Sequence, residues 1–221
     1  APRSLVLAAS IPSQTAAMVG SGTASSSEYI MMSGTSMACP HVAGVATLLK
    51  RAHPEWSPAA IRSAMMTIEN PLDNTNNPIK DNGHKLKMAS PLDIGAGQID
   101  PNRALDPGLI YDDTAEAYVN LLCSMNYTSK QNLAVTRSKT YNCIKPSLDL
   151  NYPTFVALYN NRSTSMIQNF KRTVTNVGGG AATYKSKVTT PKNCVVKVSP
   201  DTFVVARMLK RQNFSLTMHY T

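Results

Sequence analysis

No uninterrupted apolar run in this chain approaches the ~20 residues that a helix needs to cross a bilayer, so a membrane span is not expected. The four cysteines, Cys39, Cys123, Cys143 and Cys194, contain no Cys-x-x-Cys pair, and the four histidines do not flank them at metal-ligand spacing. That excludes the usual zinc patterns, and neither a metal nor any other cofactor is expected. Aromatic residues make up only 6% of the chain, and the tightest basic clusters, His84 to Lys87 and Arg207 to Arg211, have none interleaved. A nucleic-acid site is therefore not expected, although 22 Lys and Arg against 13 Asp and Glu leave a net charge of +9. Scattered cations of this kind serve a solvated face. The chain opens on Ala1-Pro2-Arg3, without an initiator Met or a signal-peptide core. Any targeting segment is expected to have been removed or to lie outside this stretch.

What is present is an ordinary globular composition: 221 residues, 43% of them hydrophobic, enough for one large or two modest domains. The stretch with chemical meaning runs from Met32 to Gly44. A short apolar run, Tyr29 to Met32, precedes it, and Val42, Val45, Ala46, Leu48, Leu49 and Ala52 then recur at helical spacing. Ser36 thus falls at a strand-to-helix junction. Gly34 can make the tight turn, and Pro40 is expected in the first helical turn, where its missing N–H costs nothing. The Ser36 hydroxyl would then lie beside unpaired backbone N–H groups at the positive end of the helix dipole. His41 follows five residues later, about 140° round the helix axis. It is therefore expected to be a packing or hydrogen-bonding histidine, not the base for Ser36.

Gly34-Thr35-Ser36-Met37-Ala38-Cys39-Pro40-His41-Val42-Ala43-Gly44 resembles the serine-nucleophile signature of subtilisin-like proteases at every specified position. Other stretches resemble the plant members of that family: Ala1-Pro2 before the Leu5 strand, the segment Ile94 to Asp112, and Leu150 to Phe155 with Arg172 to Gly178. The resemblance implies a serine endopeptidase acting on polypeptides. Ser36 would be its nucleophile, the Ser36 backbone N–H would form part of the oxyanion hole, and a His and an Asp would come from upstream of residue 1. Arg3 stands where the family has glycine, which predicts strain near the substrate cleft. Asp93-Ile94-Gly95 is not read as the catalytic-aspartate motif, because a proline-containing loop precedes it and no His-Gly-x-His follows.

The fold class implied is α/β, the C-terminal part of a subtilisin-like parallel-sheet domain followed by a small all-β fibronectin-III-like sandwich. Leu5 to Ala9 reads as a strand buried on both faces, residues 20 to 28 as a small-residue loop, and Ser57-Pro58 as the start of a second helix whose apolar stripe is Ile61, Ala64, Met65 and Ile68. After Leu148 the periodicity changes to two. Phe214, Leu216, Met218 and Tyr220 alternate with polar residues, as do Ala182, Tyr184, Ser186 and Val188, and Asn176 to Gly180 reads as a hairpin loop. Residues 1–122 are assigned to the catalytic domain, 123–148 to a linker and 149–221 to the β domain, which falls short of the ~100 residues such sandwiches contain.

A secreted, extracellular location in the cell wall or apoplast follows from the resemblance. With it come a disulfide between Cys123 and Cys143, Cys39 reduced and buried, and N-glycosylation at Asn126, Asn161 and Asn213. The partners expected are a polypeptide substrate and the missing N-terminal part of the catalytic domain, with neither nucleic acid nor membrane. The alternative is a truncated, catalytically inactive relative acting as a binding or structural protein, which Arg3, Ser10 and the missing triad partners favour.

Overall fold

The computed structural model describes residues 1–11, 15–19, 23–159 and 165–220. In chain order the elements are β1 (Val6–Ala9), β2 (Thr15–Val19), β3 (Thr23–Ser26), β4 (Tyr29–Met32), α1 (Thr35–Ala52), α2 (Pro58–Thr67), β5 (Lys80–Asp81), β6 (Lys87–Met88), α3 (Pro91–Ile94), α4 (Pro101–Ala104), β7 (Leu109–Ile110), α5 (Ala115–Ser124), α6 (Ser129–Thr136), β8 (Met166–Asn176), β9 (Ala182–Lys185), β10 (Cys194–Ser199), β11 (Thr202–Val205) and β12 (Arg211–Tyr220). They form two compact units, Ala1–Glu55 with Ile68–Pro101 and Trp56–Thr67 with Asn102–Thr221.

In the first unit β1 pairs antiparallel with β4, Val6 opposite Met32 and Ala9 opposite Tyr29. Helix α1 follows β4 directly and buries Val45 and Leu49, four residues apart on one face. The Leu5 run does form a strand, but it is not buried on both faces: its side chains alternate between half-buried and exposed, and Leu7 is 66% exposed. A two-stranded antiparallel pair covers only one side of each pleat. All pairings among the described residues are antiparallel. The stretch read as a small-residue loop also differs, since Thr23–Ser26 is strand β3, paired with β2. Small hydroxyl residues carry no alternation by which a strand could be read. Residues 20–22 of that stretch lie outside the described residues.

The second unit starts at α2. The Ser57 hydroxyl accepts the Ala60 N–H at 3.0 Å, the N-cap expected from Ser57-Pro58. Ala60, Ile61, Ala64 and Met65 are buried on one side of the helix. Buried Ser63 accepts the Tyr111 N–H at 2.8 Å, which ties α2 to β7. A four-stranded antiparallel sheet has the order β10-β12-β8-β7, and a second sheet pairs β11 with β9. Buried Phe170, Val174 and Leu216 from the first sheet and Val205 from the second make up the core of this β region. The alternation expected over Phe214 to Tyr220 is that of β12, with Leu216 turned inward.

The hairpin expected around Asn176 to Gly180 is not formed. Both edges of β8 are taken, by β12 and β7, while β9 pairs with β11 in the other sheet. The loop therefore crosses between sheets, a choice that local periodicity does not encode. The stretch expected as a linker holds the last two residues of α5 and all of α6. A disulfide joins Cys123 to Cys143 across it, with Cα atoms 5.7 Å apart, and the Asn132 amide of α6 donates to both sulfurs at 3.3 and 3.7 Å.

Candidate functional site

The turn that presents Ser36 is fastened from both sides. The Ser33 hydroxyl accepts the Leu5 N–H at 2.9 Å, and the Gly34 N–H donates to the Arg3 carbonyl at 2.8 Å. Gly34 enters the helix with φ 155° and ψ 169°, a region that belongs to glycine. A Cβ there would meet nothing closer than 4.0 Å, so the requirement is for backbone freedom, not space. Leu5 is itself held at φ 51°. Arg3 keeps a backbone outside the left-handed region, so the strain expected from its replacing a glycine is not found there.

Ser36 is the second residue of α1 and is exposed. Its N–H lies in the first turn, where no carbonyl of the same helix can accept it. The helix carries no side-chain N-cap and no acidic residue in its first turn, so the positive end of its dipole is not neutralised from within.

Two expectations about this helix need correction. Pro40 is its sixth residue, not part of its first turn, because the helix starts at Thr35. Its missing N–H is the donor that the Ser36 carbonyl would otherwise receive, so the proline opens the helix ladder at the serine itself. Cys39 is unpaired, as expected, but exposed instead of buried. It lies three residues beyond Ser36 and therefore on the same open side of the helix.

His41 is occupied as expected. Its Nδ1 is 2.7 Å from the Met37 carbonyl, one turn back on α1. His53 caps the far end of the same 18-residue helix, roughly 25 Å from Ser36 at 1.5 Å per residue. His84 binds Asp81, and His219 Nε2 lies 3.2 Å from the Ser165 hydroxyl. Among the described residues no three His, Cys, Asp or Glu side chains form a group able to hold a metal. No helix of the described residues is long and apolar enough to cross a membrane.

Beside Ala38 the first unit has an open cleft of about 680 Å³, lined also by Arg3, Asp81, Asp93, Gly97 and Gln98. Asp93 is committed to capping α3: its carboxylate accepts the Ser90 N–H at 2.8 Å and the Ser90 hydroxyl at 2.6 Å. The hydroxyl bond first, and the N–H with it, hold its pKa below the ordinary value. Burial raises the Glu69 carboxyl, partly offset by N–H bonds from Gly97 and Ala96. Gly97, at φ 142°, lies so near Asn70 that a Cβ would fall 2.4 Å from the Asn70 carbonyl oxygen.

Of the three sequons, Asn161 lies outside the described residues. Asn126 is exposed, at φ 65°, in the turn between α5 and α6, and the Thr128 side chain of its sequon caps α6. Asn213 sits inside β12, where its Oδ1 accepts the Thr173 hydroxyl at 2.8 Å.

The bonds at Ser33 and Gly34, which fix the angle of the Ser36 turn, were not read from the sequence. Their only signal is a second serine two residues before the glycine-led helix start.

Comparison with known proteins gives two regions of likeness. A family model described as "Subtilase family" matches residues 6–89, and one described as "Fibronectin type-III domain" matches residues 149–221. The chain is 56% identical over its whole length to subtilisin-like protease SBT3 of Solanum lycopersicum, of which it covers 29%. It is 43% identical over 86% of its length to subtilisin-like protease SBT1.6 of Arabidopsis thaliana, of which it covers 25%. It thus spans less than a third of the length of either relative.

Proposed function

The chain belongs to the subtilisin-like serine proteases, a protein-hydrolysing family, and from that premise we propose that Ser36 is the nucleophile of a serine endopeptidase whose other catalytic groups lie outside these residues. The observation that carries the proposal is the placement of Ser36 behind Gly34 at the uncapped start of α1. In the proposed reaction the Ser36 hydroxyl attacks a peptide carbonyl and the Ser36 N–H helps to hold the oxyanion. The proton passes to a histidine contributed by the rest of the protein. Each of the chain's own histidines is engaged locally or, like His53, lies at the far end of α1.

A serine hydroxyl is a weak nucleophile without a base within ~3 Å, so the 221 residues alone are expected to be inactive. Residues 1–122 are proposed as catalytic-domain sequence, 123–148 as the connection and 149–221 as the β domain. Secretion to the extracellular space is proposed as well, with Asn126, on an open turn, as the sequon best placed to carry a glycan. The alternative of a non-catalytic relative rests on Ser10 and the missing triad partners, while the Arg3 backbone lies outside the left-handed region.

The test uses a fluorophosphonate probe, which labels activated serines. The longer protein should label and lose its label on Ser36→Ala, while the 221-residue chain should not label. Labelling of Ser36 in the chain alone would refute the proposed division of groups. A longer protein that stays unlabelled would favour the non-catalytic alternative.

A further inference from the structure

Charge is divided very unevenly along this chain. Residues 149–221 contain ten Lys and Arg and two Asp, a net +8, whereas the first 148 residues are close to neutral, with twelve basic and eleven acidic. Among the described basic residues of the β domain, only Arg172 forms an ion pair, with Asp149.

Strand register shows where three of the free cations stand. Phe170, Val174 and Leu216 are buried on the inner side of the four-stranded sheet, so the odd-numbered residues between them point to the other side, where Lys171 is exposed and Thr175 is buried. Lys197 lies opposite Thr217, and Thr217 opposite Asn169; Lys171 lies opposite Ser215, and Arg211 opposite Thr175. Directly opposed residues share a face. The outer surface of β10, β12 and β8 therefore carries Lys171, Lys197 and Arg211, all exposed. Strand spacing and rise put neighbouring cations of this set roughly 12 to 14 Å apart at Cα.

Between the cations the same face carries hydroxyls and amides. Thr217 donates to Asn169 Oδ1 at 2.7 Å and Thr173 to Asn213 Oδ1 at 2.8 Å. A trough of about 600 Å³ reaches along Lys171, Thr173, Ser199, Asn213 and Ser215. Its lining also includes Phe214 and two carboxylates, Asp149, which pairs with Arg172, and Asp113, whose Oδ2 accepts the Asn151 N–H at 3.2 Å.

We propose that this outer sheet face binds an acidic polysaccharide, whose uronate carboxylates pair with Lys171, Lys197 and Arg211 while its hydroxyls exchange hydrogen bonds with the Thr, Ser and Asn side chains between them. The composition of the face selects this partner. A protein partner needs a desolvated aromatic or apolar anchor at the centre of its interface. Here the apolar side chains at outward positions, Val195 and Ile167, lie at the end of the face near His219, and Phe214, which also lines the trough, is half-buried with its ring edge-on to Tyr111. Single-stranded nucleic acid needs aromatic platforms for its bases, and the outward positions of these strands hold none. A hydrated chain with carboxylates at intervals requires only spaced cations and hydroxyl-rich ground between them.

The experiment measures binding of the full protein, enzymatically deglycosylated, to polygalacturonate at two salt concentrations, beside its methyl ester, a single-stranded DNA oligomer and phosphatidylserine vesicles. Saturable binding to polygalacturonate that weakens with salt is expected, with much weaker binding to the other three. Lys171→Gln/Lys197→Gln/Arg211→Gln should weaken it about tenfold or more, equivalent to about 1.4 kcal/mol. Lys185→Gln/Lys187→Gln/Lys192→Gln removes equal charge away from this face and should weaken it less than about threefold. Equal loss in the two triple variants would reduce the effect to net charge and overturn the proposal. Equal binding of the methyl ester, or tighter binding of DNA or vesicles, would also overturn it.

Discussion

Truncating Arg172 should damage the second unit more than removing almost any other charged side chain would. Its side chain is only 4% exposed and pairs with Asp149. Its Nε donates to the Tyr152 carbonyl at 2.7 Å, Nη2 to the Thr154 carbonyl at 3.1 Å and Nη1 to the Lys171 carbonyl at 2.8 Å. The guanidinium also lies 4.7 Å from the Phe155 ring centre and 5.5 Å from that of Phe170. Arg172 therefore holds the segment 149–155 against β8. Breaking a buried ion pair from one side costs about 3–5 kcal/mol, and the orphaned carbonyls put Arg172→Ala at the upper end, about 4–5 kcal/mol. Arg172→Lys keeps the charge but loses the planar fork and the ring contacts, and should cost about 2 kcal/mol. The pair Arg172→Met/Asp149→Leu removes both charges and should recover only about half of the loss, since Tyr152 and Thr154 still lack donors. Trp56, the one tryptophan, is buried in this unit, so its fluorescence can follow urea unfolding. A cost below about 1 kcal/mol for Arg172→Ala, or full recovery in the double variant, would refute this account of the staple.

Gly97→Ala should destabilise the first unit by more than about 2 kcal/mol, because the new Cβ would overlap Asn70 backbone and φ 142° suits only glycine; Gly44→Ala, with nothing within 4 Å in helix α1, should instead stabilise by about 0.5–1 kcal/mol, and thermal melts of the two variants compare them directly. The His84 imidazole, hydrogen-bonded to Asp81, should titrate above ordinary histidine, while the same bond lowers Asp81. Stability from His84 is then complete below the unfolded histidine range and fades as pH rises through its raised value, whereas that from Asp81 fades as pH falls through its lowered one. A ring-proton NMR titration should show the His84 midpoint fall in Asp81→Asn, and an unmoved midpoint would remove the pair from the account.

The start of α1, the Ser57 cap, the two-residue period of β12 and the position of Ser36 were all legible, because each depends on residues within one or two turns or on one strand. Partners were not. Whether β9 pairs with β8 or β11 depends on which edges are already occupied, and no short window contains that information. The environment of a side chain escaped for the same reason. Cys39 and Leu7 are apolar residues in regular elements, yet what covers them is decided by distant chain. Arg172 left a clue, since it shares its parity with Phe170 and Val174, the buried side of β8. An arginine on that side had to be satisfied by carbonyls and a carboxylate, and the alternation alone could have raised the question.

The helices of the chain differ in a way that bears on Ser36. Ser57, Thr114 and Thr128 cap α2, α5 and α6 through their side chains, each taking up an N–H of the first turn. The longest helix, α1, has no such cap, enters from a glycine-only backbone region and carries a proline that withholds a donor from the Ser36 carbonyl. Three departures from ordinary helix rules thus fall within about one turn of a single serine, and each has a stability cost. A side-chain cap at Gly34 would restore part of that stability, but it would also occupy the donors that a developing oxyanion needs. Local rules are expected to fail together where chemistry requires it, and their failure around Ser36 supports the proposal that it is the nucleophile.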